Sequence, residues 1–126
     1  MRWTDAFPRS FFSLARTPTT RSQAHVESVA HDTFKVSKLT VQPGWKWSEC
    51  IKPLVGTDSC QVAHQGVVVS GGMTVVMDDG SKLSFTAGDT FHIPPGHDGW
   101  VDGDEPFVGF EFAPIEKQAN VWDTKQ

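Results

Sequence analysis

The chain has 126 residues, 38% of them hydrophobic and 21% charged, and a net charge of −4. That describes one soluble domain with one modest core. The charge gives no basic footprint for nucleic acid or an anionic membrane surface, and no apolar run approaches the ~20 residues of a spanning helix. Tyrosine is absent, which excludes a tyrosyl acid, base or radical.

Residues 1–33 lack a clean period. Pro8 and Pro18 break any helix, and Phe7, Phe11 and Phe12 are apolar enough to need cover. Residues 1–21 carry Arg2, Arg9, Arg16 and Arg21 against Asp5, giving +3, while the rest of the chain carries −7. An Arg-rich, acid-poor start faintly resembles a mitochondrial transit peptide. The favoured reading is a flexible arm, or a strand lent to a partner subunit. No apolar core of a signal peptide follows the first residues, so a cytoplasmic, reducing setting is expected. Cys50 and Cys60 then read as free thiols or metal ligands rather than a disulfide.

From Thr33 the pattern turns β-like. Phe34, Val36 and the alternation to Val41 predict a strand ended by Pro43-Gly44. Residues 45–51 alternate again. Trp45, Trp47, Glu49 and Ile51 share one face, and Lys46, Ser48, Cys50 and Lys52 share the other. Residues 53–59 are a loop. Residues 60–70 predict a third strand, buried on both sides at Val67-Val68-Val69. Asp79-Gly80 between β-rich runs predicts a hairpin. Residues 88–93 predict another strand, stopped by Pro94-Pro95-Gly96, with His92 and His97 on either side of the turn. Trp100-Val101 and residues 107–112 complete the sheet. Residues 113–126 form a tail, with Trp122 as an apolar anchor. Seven or eight short strands at this spacing mean a β-sandwich or barrel.

Gly88-Asp89, four residues, then Pro94-Pro95-Gly96 resembles the second motif of the cupins, G-x5-P-x-G-x2-H-x3-N. Pro43-Gly44, and a strand ending Val69-Ser70-Gly71-Gly72, resemble the first, G-x5-H-x-H-x3,4-E-x6-G. The segments 47–53, 56–60 and 93–98 resemble small single-domain cupins of mostly unassigned function. The resemblance implies an all-β, cupin-type double-stranded β-helix (jelly-roll) barrel over residues 34–112. A mostly irregular N-terminal arm, 1–33, and a C-terminal tail, 113–126, flank it. It also implies a homodimer, in which Phe7, Phe11 and Phe12 gain cover.

The ligand positions depart from the family pattern. His64 fills the Glu position. Cys50 and Lys52, or Cys60 by the other count, fill the His positions of the first motif. Gly99 and Gly103 fill the His and Asn positions of the second. His97, two residues before Gly99, points to the same side of an extended strand. Cys60 and His64 share a strand face. The candidate metal ligands are therefore Cys60, His64 and His97, with Glu49 as fourth ligand or as catalytic base. Glu49 faces in if Trp45 and Trp47 do, and the on the order of 200 Å² that each Trp buries favours that register over Cys50. Thiolate and imidazole together favour zinc, whereas two His and a carboxylate would suit iron. Each histidine also reads as a hydrogen-bonded core residue, and Cys60 as a small buried thiol. Trp45, Trp47 and Trp100 are candidate walls of a substrate pocket, although the first two read first as core. The resulting expectation is a metal-dependent enzyme acting on a small, largely apolar molecule. Oxygenase, isomerase, lyase and cyclase chemistry all stay open. The alternative is a non-catalytic small-molecule binding or sensing module.

Overall fold

The computed structural model describes residues 23–115 and the backbone of residues 16–17. Phe7, Phe11, Phe12 and Trp122 lie outside the described residues. Among the described residues nine strands form two antiparallel sheets. The first contains β1 (Arg16–Thr17), β2 (Ala24–Ala30), β3 (Phe34–Val41), β4 (His64–Ser70), β7 (Thr90–Ile93) and β9 (Phe107–Pro114), in the order β1-β2-β3-β9-β4-β7. The second contains β5 (Gly72–Met77), β6 (Lys82–Thr86) and β8 (His97–Asp102), in the order β6-β5-β8. This is the expected all-β jelly-roll barrel. The stretch before residue 33 nevertheless supplies a seven-residue strand, β2, paired along β3 from Ala24↔Val41 to Ala30↔Lys35.

The core lies between the sheets. Val41, Val68, Phe91, Ile93 and Phe107 from the first sheet meet Val75 and Val101 from the second. The predicted hairpin is present: β5 and β6 pair from Gly72↔Thr86 to Val76↔Lys82, and Gly80 bonds back to Met77. Among the described residues no helix is long and apolar enough to cross a membrane.

One element differs in kind from its expectation. Residues 47–55, where the alternation over 45–51 predicted a strand and residues 53–59 a loop, are two helical turns, α1 (Trp47–Cys50) and α2 (Lys52–Val55). Lys46 makes a single bridge to Trp100, and the chain then coils. Trp47, Ile51 and Val55 recur every four residues, which is one face of a helix. Asp98 Oδ1, from β8, accepts a hydrogen bond from the Ser48 amide at 3.0 Å and so satisfies an orphan donor of the first turn. Pro53 sits at the start of α2, where a missing N–H costs nothing, and Gly56 closes it at φ 79°. The predicted strand over residues 60–70 is also shorter. It begins at His64, and Cys60 makes only an isolated bridge, to His97.

Gly66 fixes how closely β4 approaches β9. It pairs with Glu111, and a Cβ there would run into the Phe110 carbonyl oxygen and come within 3.0 Å of Glu111 Cα. Gly66→Ala is therefore expected to cost about 2–3 kcal/mol in urea unfolding. Gly88→Ala, at φ +92° with open space around it, should cost only about 1 kcal/mol. Equal losses would reject the close-approach role of Gly66.

Candidate metal centre and cavity

A cavity of about 420 Å³ opens between the sheets. That is within the range that holds small ligands. Its walls include Trp45, Trp47, Met73, Phe85 and Phe91, and Val55 and Val62 line it while 55% and 60% exposed. Among the described residues no lysine or arginine lines it. Cys60, His64, His97 and Glu111 supply its chemistry.

The Pro94-Pro95-Gly96 turn sets His97. Gly96 adopts φ +94°, its amide donates to the Cys60 carbonyl at 2.7 Å, and a Cβ would meet Asp78 Oδ2 at 2.8 Å. The next residue then pairs with Cys60: the Cys60 amide donates to the His97 carbonyl at 2.7 Å. This puts a buried thiol and a buried imidazole side by side, 7% and 5% exposed. His97 Nδ1 lies 2.8 Å from the Pro94 carbonyl, which can only accept, so Nδ1 carries the proton. In the neutral ring the lone pair is then on Nε2.

His64 reaches the same place from β4. Its ring meets that of His97 edge-on at 5.3 Å between centroids. His64 Nδ1 lies 2.8 Å from Glu111 Oε1, and Nε2 lies 3.7 Å from Cys60 Sγ. One ligand atom from each of Cys60, His64 and His97 falls within 4.8 Å of the others. A tetrahedral ion about 2.3 Å from sulfur and about 2.0 Å from nitrogen would separate those two ligands by about 3.6 Å. The 3.7 Å between Cys60 Sγ and His64 Nε2 matches that separation. Both histidines also have the outer partner, carbonyl or carboxylate, that fixes a metal-binding tautomer.

The electrostatics follow from the contacts. Burial alone would raise the Cys60 thiol, but hydrogen bonds from His64 and His97 outweigh it and bring the pKa from 9.0 to about 6. Burial alone would lower His64, but hydrogen bonds to Cys60 and Glu111 raise it from 6.5 to about 10. Without an ion the two form a thiolate–imidazolium pair at neutral pH.

Cys60, His64 and His97 are brought together, and Trp45 and Trp47 line the cavity. Glu49 is not with them. It lies half a helical turn from the inward face of Trp47 and Ile51, and it is exposed. Trp100 lies on the outer face of β8, with Lys46 and Lys82 ammonium groups 5.6 and 5.9 Å from its ring centroid. His92 is exposed, and Cys50 and Cys60 are not disulfide-bonded. Glu111 was missed. Its signal was the alternation Phe107, Gly109, Glu111, which puts an acid on the core-facing side of β9.

A family profile described as EutQ-like cupin domain matches residues 30–109. Among solved structures, the polyketide cyclase RemF from Streptomyces resistomycificus is similar at TM-score 0.57 and 18% identity, over 86% of this chain and 79% of that one. The EutQ protein of Clostridium difficile is similar at TM-score 0.52 and 12% identity, over 81% and 77%. The Lactobacillus farciminis oxalate decarboxylase formate complex gives TM-score 0.57 and 20% identity, over 82% of this chain and 32% of that one. These likenesses are of fold. No match was found among curated proteins.

The thiolate ultraviolet absorbance of the chelator-treated chain should titrate with a midpoint near 6. In His64→Ala the midpoint should move up toward 9.0, since the largest stabilising hydrogen bond is gone. A midpoint near 9.0 in the unmutated chain would show that no such pair forms.

Proposed function

The chain belongs to the EutQ-like cupin domain family, and from that premise we propose that it is a metal-dependent enzyme acting on a small, largely apolar molecule held in the barrel cavity. The observation that carries this reading is the Cys60–His64–His97 group on the cavity wall, with ligand atoms within 4.8 Å. Three protein ligands leave a fourth position open to water or substrate, as in catalytic rather than structural zinc sites. Thiolate beside imidazole favours zinc; iron is the second candidate. A bound ion would supply Lewis acidity toward a carbonyl or similar oxygen.

The chain's own residues do the rest. Trp45, Trp47 and Phe91 would hold an apolar body, and among the described residues no lysine or arginine lines the cavity to anchor a carboxylate. Glu111 would keep His64 in its ligating tautomer rather than act as a free base. Two fold neighbours are named for enzymes, a polyketide cyclase and an oxalate decarboxylase; cyclisation, isomerisation, lyase and oxygenation chemistry all suit an open site on this cavity. The commitment of Glu111 to His64 favours, as a second reading, a module that binds without turnover.

The proposal includes a homodimer. Phe34 and Phe112, each 41% exposed, occupy one face of paired strands β3 and β9. Light scattering of the full chain should give twice the monomer mass, and a monomer at every concentration would remove this part.

The metal reading is tested by titrating zinc into the chelator-treated chain. One equivalent should bind, and His97→Ala and Cys60→Ser should abolish tight binding. Glu111→Gln should weaken it about 10–100-fold with the fold intact by circular dichroism. Affinity should fall as pH drops below about 10, because the ion must displace the His64 proton, and fall more steeply below about 6, where Cys60 is protonated too. Less than a tenth of an equivalent of zinc or iron bound would sink the reading.

A further inference from the structure

Cys60, His64 and Glu111 also form a row. Cys60 Sγ lies 3.7 Å from His64 Nε2, and His64 Nδ1 lies 2.8 Å from Glu111 Oε1. In order, these are a nucleophile, a base within reach of it, and an acid that orients the base. The row borders an apolar cavity that opens past the exposed Val55 and Val62, so a small apolar molecule can reach the sulfur. We propose that, whenever no ion bridges Cys60 and His64, these two residues and Glu111 act as a nucleophilic triad toward apolar α,β-unsaturated carbonyl compounds.

The three residues come from separate parts of the chain. Cys60 is held by its backbone bridge to His97. His64 opens β4, and Glu111 lies on β9 opposite Gly66, two residues further along β4. Glu111 is therefore the diagonal cross-strand neighbour of His64 on the same sheet face. His64 and Glu111 are fixed by the sheet, and Cys60, in the loop ahead of β4, is fixed by that bridge.

The addition balances without an outside reagent. With the Sγ proton held on His64 Nε2, the sulfur bonds to the β-carbon of the electrophile. The double-bond pair moves onto the carbonyl as an enolate, and the α-carbon takes the proton back from Nε2. S–H has been added across C=C; nothing is oxidised and nothing leaves. Metal binding and this addition use the same Sγ and Nε2, so one excludes the other. The triad does not depend on the metal reading.

The test is N-ethylmaleimide labelling of the full chain after chelator treatment, resolved by peptide mass spectrometry. Cys60 should react at least about tenfold faster in the folded chain than in the same chain in urea. A thiol that is merely buried would react more slowly when folded, and that result would overturn the proposal. His64→Ala should bring the folded rate to or below the urea rate, and Glu111→Ala should lower it severalfold. Cys50→Ser should leave it unchanged. Zinc added beforehand should suppress labelling of Cys60. Fast labelling that zinc does not suppress would leave the triad standing and remove the metal reading. Tight zinc binding with slow labelling would do the reverse.

Discussion

The short backbone bridge between Cys60 and His97 is the contact on which the candidate site depends. It joins the loop ahead of β4 to the start of β8, and so ties one sheet to the other beside the cavity. Neither residue would face the other without it, because residues 60–63 are not part of a strand. Gly96 makes the bridge possible. Its left-handed φ turns the chain after Pro94-Pro95, and its missing Cβ leaves room for the Asp78 carboxylate. The same turn leaves the Pro94 carbonyl positioned to accept from His97 Nδ1. One turn thus places a residue and fixes its tautomer.

His64 and Glu111 complete the site by a different device. They lie on adjacent strands, on one face, in a register that the Gly66–Glu111 pair sets. A half-buried acid next to an imidazole is stable if its charge is answered, and here the row runs Glu111, His64, Cys60. The charge on each group is the reason the next one holds its own. An ion between Cys60 and His64 would use the same alternation, since it too needs a thiolate and an imidazole oriented from behind.

Two helical turns add to the apolar wall that the strands give the cavity. α1 is tied to β8 through Asp98, and its inward residues, with those of α2, repeat every four positions. This separates a wall of Trp47, Ile51 and Val55 from an outer face that carries Glu49. Trp100 is excluded for a related reason. β8 alternates buried and half-buried residues, and with His97, Gly99 and Val101 turned inward Trp100 must turn out.

The sequence by itself determined the barrel, the hairpin at Asp79-Gly80, and the turn that presents His97. In each case the signal is local: a two-residue period, or glycine and proline at positions that only they suit. It also named Cys60, His64 and His97 as one group, although Cys60 joins it through the bridge to His97 and not through the strand face expected to be shared with His64. The tertiary structure decided what local pattern leaves open. Over residues 45–51 the apolar residues fit a strand, while Trp47, Ile51 and Val55 fit a helix equally well. The bridge to Trp100 and the amide partner offered by Asp98 settled the choice, and with it the outward place of Glu49. Glu111 and His64 are 47 residues apart in the chain. No periodicity carries that pairing; it exists only once β4 and β9 lie side by side in a fixed register.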